Sequence, residues 1–130
     1  MEVFFMKRWI GSLMIVTATI HTIVGFVFAS GPLMKIVNAG LFNSVDPYFD
    51  RMSAFWYMLF GVLLFFIGIF ENWGIRETGT LPASIGWGLL ILGIVGVILM
   101  PISGFWLVLP QAYMILRVAK VSGSKAAFNN

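Results

Sequence analysis

His21 is the single histidine of this chain, and it stands inside twenty consecutive uncharged residues, Trp9 to Phe28. An imidazole near neutral pH can take up a proton, release one, or bind a polar group. Gln111 offers an amide that both donates and accepts, and Tyr57 offers a phenol. Gly61 and Gly93 leave space beside them. Together His21, Tyr57, Gly61, Gly93 and Gln111 are the candidate binding residues for a lipid-like or quinone-like hydrophobic ligand with a polar tip. Asp50 and Arg51 are candidates for the mouth of that pocket; an ion pair ending the loop is the plainer account. For His21 and Gln111 the plainer account is a hydrogen bond across packed helices, worth about 0.6–2 kcal/mol. Glu71 is placed to meet Arg8 or Arg117 as an anchor. Thr17 and Thr22 can bond to carbonyls of their own helix and need no further role.

Much chemistry is excluded. The chain has no cysteine, so thiol and disulfide chemistry, iron–sulfur clusters and thiolate metal sites are absent. With one histidine and no cysteine, a zinc or copper site within one chain is not expected. A haem would need His21 with a methionine, or two copies of His21 across a dimer, and nothing in the pattern points to either. No Ser–His–Asp set or phosphate-binding glycine loop is present, since Gly86, Gly88, Gly93 and Gly96 lie in an apolar run. No catalytic residue, metal or cofactor is expected.

The elements that position these residues follow from apolar run length. Of 130 residues, 60% are apolar and 10% charged, with mean hydropathy +0.98. A soluble domain carries about 25% charged residues, so lipid is the expected solvent. Residues 9–28 would span about 30 Å as a helix, the hydrocarbon thickness of a bilayer. That run exceeds the usual core of a signal peptide, so it is expected to be retained although Val27-Phe28-Ala29 mimics a cleavage site. Residues 53–70 make a second span, and a polar loop is expected from Glu71 to Thr80. The uncharged tract Ile85 to Leu116 is too long for one crossing; Pro101, Ser103 and Gly104 break it into spans of about 82–100 and 104–118. Between the first two spans, Leu33, Met34, Ile36, Val37, Leu41 and Phe42 recur at helical spacing. They predict a short amphipathic helix that caps the bundle or gates a ligand site.

The fold class is therefore all-α: a transmembrane four-helix bundle with a short amphipathic helix in the outer loop, forming one integral membrane domain over residues 1–130. With both termini cytoplasmic, Lys7, Arg8, Arg76, Arg117, Lys120 and Lys125 lie inside and only Lys35 and Arg51 outside. Basic residues flank apolar runs and form no nucleic-acid patch. Small residues repeat at seven-residue intervals: Gly11, Ala18 and Gly25; Ala54, Gly61 and Gly68; Gly86 and Gly93, with Gly96 nearby. Such seams let helices pack within a chain or between copies. A weak echo, Phe55-Trp56 and Phe105-Trp106, suits duplication of a two-helix unit. The rise of a helix puts His21 about 10 Å below Phe28, level with Gly61, Gly93 and Gln111 and one turn below Tyr57. Pro110 is expected to loosen the fourth span beside Gln111.

Trp9-Ile10-Gly11, His21-Thr22 followed by Gly25, and Phe55-Trp56 with Gly61 and Gly68 resemble an uncharacterised bacterial family of small four-helix integral membrane proteins, DoxX-like in architecture. The resemblance covers most of residues 7–120. It implies a four-helix bundle in the bacterial plasma membrane and an accessory role near redox or lipid-like substrates. It brings no catalytic residues. Met6-Lys7-Arg8-Trp9 resembles a natural start, which makes Met6 an alternative initiator. Thiol-dependent quinone reductases of similar helix count need cysteines that are absent here. Small multidrug exporters need a glutamate in the first span, where this chain has His21.

Three functions stand open from the residues. The first is a binding or accessory module for a lipid-like or quinone-like molecule. The second is an oligomeric proton-linked transporter or channel that titrates His21. The third is a structural subunit of a membrane complex. Expected partners are membrane lipid, a hydrophobic small molecule and further copies of the chain; nucleic acid is not expected.

Overall fold

A computed structural model describes residues 1–128, leaving the side chains of residues 125, 126 and 128 undescribed. Lys125 of the charge count therefore lies outside the described side chains. The chain is all-α, with five helices packed together: α1 (Glu2–Phe28), α2 (Ser30–Asn38), α3 (Phe49–Thr78), α4 (Ala83–Leu99) and α5 (Val108–Phe128).

The long helices run further than their apolar stretches. α1 starts seven residues before Trp9, through Lys7 and Arg8, and α3 continues through the expected loop at Glu71 to Thr78. Charge marks where an apolar surface ends, but lysine, arginine and glutamate are good helix formers and do not end the helix. α3 stops where the backbone requires it: Gly79 takes φ 73° and its N–H bonds to the Ile75 carbonyl. α4 ends at Leu99, just before Met100-Pro101, where the residue preceding a proline leaves helical geometry. The turn is held by Ser103 Oγ donating to Met100 O at 2.5 Å and by Trp106 Nε1 donating to Pro101 O at 2.9 Å. A 3₁₀ turn, Gly104–Leu107, then leads into α5. Pro110 thus falls in the first turn of α5 and not within a continuous span, and its missing N–H has no helical partner to lose.

The outer-loop helix exists but is shorter than its apolar pattern. α2 ends at Asn38, and Leu41 and Phe42 lie beyond it because Gly40, Leu41 and Asn43 take positive φ (88°, 68° and 48°). The loop after it is tied by Ser44 Oγ donating to Leu41 O and by Arg51 Nη1 donating to Ser44 O at 2.7 Å.

α1 is the hub. It packs along α3 on one side and α5 on the other, while α4 packs along α5 and makes no close backbone approach to α3. The α1–α3 and α4–α5 seams are glycine-cut. A side chain at Gly11 would meet the Gly68 carbonyl, one at Gly68 would meet Ile15 at 2.7 Å, and one at Gly86 would meet Leu116 at 2.7 Å. The seams therefore join helices within the chain. The core has two clusters, Ile10, Leu81, Ile115 and Val118 at one end and Met14, Ala18 and Leu64 above them, with Leu89 packed against both. Antiparallel pairing gathers Lys7, Arg8, Arg76, Arg117 and Lys120 at one end of the molecule, and Lys35 and Arg51 at the other.

α1 and α3 are long and apolar enough to cross a membrane; α4, with 17 residues, is a shorter apolar helix.

Candidate functional site

His21 and Tyr57 are brought together by the α1–α3 seam. Gly61 removes the side chain that would block them, since a Cβ there would lie 3.2 Å from His21 Cδ2 and 2.6 Å from Thr22 Oγ1. Gly25 does the same from α1, with Tyr57 Cε1 within 2.8 Å of its missing Cβ. The two rings stack with centroids 4.0 Å apart and planes inclined by 12°, and Phe60 meets the imidazole edge-on at 5.6 Å. His21 Nε2 lies 3.0 Å from the Tyr57 carbonyl oxygen. A carbonyl only accepts, so Nε2 carries the hydrogen, and in that neutral tautomer Nδ1 is an acceptor. Neither Nδ1 nor the Tyr57 hydroxyl makes a hydrogen bond among the described residues. The imidazole is half-buried on the flank of the seam, not sealed in the centre of the bundle.

The other two candidates go elsewhere. Gln111 is buried between α5 and α1, and its Nε2 donates to Thr17 Oγ1 at 2.8 Å and to Leu107 O at 3.0 Å. Gly93 faces α5, where Leu109 Cδ2 occupies the space at 2.7 Å from a Cβ position. The first group of His21, Tyr57 and Gly61 is thus one cluster, and Gly93 and Gln111 belong to the packing of α5. Grooves of about 400 and 250 Å³ open at the surface in other places, and none of the five residues lines either. Asp50 does not pair with Arg51; it accepts from Lys35 Nζ at 2.9 Å, joining α3 to α2, while the Arg51 guanidinium lies 4.1 Å over the Tyr48 ring.

Glu71 corrects the expectation of an anchoring ion pair. Its side chain is 1% exposed, and neither carboxyl oxygen has a hydrogen-bond partner, whereas Arg8 and Arg117 are exposed. The only ion pair among the described residues is Lys35–Asp50. The signal was present in the spacing: Ala54, Gly61, Leu64 and Gly68 continue by helical steps to Glu71 and Gly74, all buried. Thr17 likewise has the added role of accepting from Gln111 while its hydroxyl donates to Leu13 O at 2.8 Å.

The described residues hold no cluster of three or more histidine, cysteine, aspartate or glutamate side chains suited to a metal ion. The arrangement can bind a polar tip through Nδ1 and the phenol; it holds no nucleophile–base pair. Residues 6–121 match the model of a family of unknown function, DUF6463, and the chain belongs to that family. The match assigns neither a DoxX-like nor a membrane family. No curated protein and no solved structure matches the chain.

Proposed function

We propose that this DUF6463 member is a four-pass membrane protein that holds a lipid-like or quinone-like molecule against the outer flank of α1 and α3, with His21 and Tyr57 meeting its polar tip. The observation that carries the reading is the His21–Tyr57 stack, which leaves one acceptor and one donor unengaged on a half-buried flank. Phe60 against the imidazole, and Val24 one turn along α1 from it, are exposed apolar side chains. An amphipath suits such a place, because its tail covers the apolar surface and its head satisfies the polar pair.

The lipid setting draws on an inverted distribution of polarity. Only 33% and 22% of the apolar windows of α1 and α3 are buried, whereas the core helix of a water-soluble protein would be mostly covered. Meanwhile Glu71, Gln111 and Thr17 sit inside. α4 and α5 would complete the crossings as an antiparallel hairpin. The charge bias between the two ends agrees with both termini being cytoplasmic.

Mass spectrometry of small molecules released from purified protein tests the ligand. Wild type should release a stoichiometric lipid- or quinone-like species, and His21→Leu should lose most of it while melting at a similar temperature. Equal retention by the variant would remove His21 from the site.

A further inference from the structure

Arg117 and Lys120 stand one turn apart on the exposed ridge of α5, and Tyr113 continues the same ridge towards the bundle middle. Neither basic side chain has an ion-pair partner among the described residues. With Leu116 they line a groove of about 250 Å³. Leu116 also fills the space beside Gly86 of α4. On the other flank of the ridge, Met114 closes a wholly apolar groove of about 400 Å³ against Phe5, Met6, Trp9 and Leu13 of α1. Lys7 and Arg8 sit on α1 at the same end of the molecule.

From this juxtaposition we infer that the α5 ridge and the α1–α5 groove bind an anionic phospholipid, its phosphate on Arg117 and Lys120 and an acyl chain against Trp9, Leu13 and Met114. The inference rests on the bilayer setting proposed above but not on the His21 ligand, which belongs to the opposite half of the molecule. Charge complementarity selects the occupant. A zwitterionic lipid offers the same chains but brings its own cation to two unpaired cations, and a protein partner would need an acidic segment beside a chain-wide apolar slot. Long basic side chains also reach readily from an apolar ridge to the phosphate level. Basic pockets between helices on the cytoplasmic side have this character in general.

The test uses the full chain, purified in mild detergent, delipidated and mixed with equal amounts of phosphatidylglycerol and phosphatidylcholine of matched chains. Native mass spectrometry should show phosphatidylglycerol adducts dominating in wild type. Arg117→Gln and Lys120→Gln should each lower them about fivefold, the effect of one basic residue near an anionic surface. Met114→Trp, which fills the groove and keeps the charge, should lower them too, while Lys35→Gln at the far end should not. Equal adducts of the two lipids in wild type, or an equal loss in Lys35→Gln, would overturn the proposal. So would equal binding of chain-free glycerophosphoglycerol, which would mark a phosphate site and not a lipid site. A carbonate wash of membranes separates the two readings. Protein released by the wash would refute the bilayer setting itself, whereas protein retained without a phosphatidylglycerol preference would refute only the lipid site.

Discussion

Glu71 holds its carboxyl group in the interior with both oxygens unpartnered among the described residues, at a cost to stability. Leaving a buried polar group unsatisfied costs about 1–3 kcal/mol, more when it is charged. Glu71→Met, similar in volume, should therefore melt higher than wild type, with Glu71→Gln between them, in a detergent thermal-unfolding series. A lower melting temperature for the methionine variant would show that the carboxyl group is held by something the helices do not themselves provide. Gln111 is used on one side only: its Nε2 donates to Thr17 Oγ1 and Leu107 O, while its buried Oε1 has no partner among the described residues. A double-mutant cycle of Thr17→Val and Gln111→Leu should return a coupling of about 0.6–1.7 kcal/mol, the range for hydrogen bonds between helices in bilayers. A coupling near zero would mean that each side chain is satisfied without the other.

Between elements, glycine decides how close the helices come. The missing Cβ of Gly11 faces the Gly68 carbonyl, which belongs to backbone and cannot swing aside. Gly11→Ala should thus spread α1 from α3 and destabilise the protein by about 1–3 kcal/mol, the usual penalty of overpacking. Gly88→Ala, with open space around its Cβ position, serves as the control and should raise helix stability slightly. Equal melting of the two variants would deny the seam its role. The same close approach carries His21 to the Tyr57 carbonyl, so the site is a product of the seam and should loosen with it.

For the molecule as a whole, the four-pass reading proposed above makes a testable statement of sidedness, because charge is segregated to two ends. The absence of cysteine means that single introduced cysteines report alone. Phe42→Cys, 94% exposed in the α2–α3 loop, should react with an impermeant maleimide on intact cells. Glu77→Cys, exposed near the end of α3, should react only after the membrane is opened. Labelling of both from outside would rule out α3 as a crossing and with it the four-pass arrangement. The open relation of α3 to α4 is a further property of the whole: α1 holds one, α5 holds the other, and Leu89 reaches across to the cluster containing Leu64.

Helix type, order and relative level were legible in the chain because each depends on local quantities: apolar run length, the rise per residue and the backbone demands of Pro101. The end of α3 at Gly79 was not, because charge marks the end of an apolar run and not the end of a helix. Depth came close, since Gln111 meets Thr17, one turn from the level of His21. Rotation about each helix axis was not legible. A heptad of small residues names a packing face but not which neighbour receives it, so Gly93 went to Leu109 and Gln111 to Thr17, leaving His21 with Tyr57 and Gly61. The burial of Glu71 stood in the helical spacing from Gly68 but not in hydropathy, which counts its charge wherever it points; the packing of the seam decided that it turns inward without a partner.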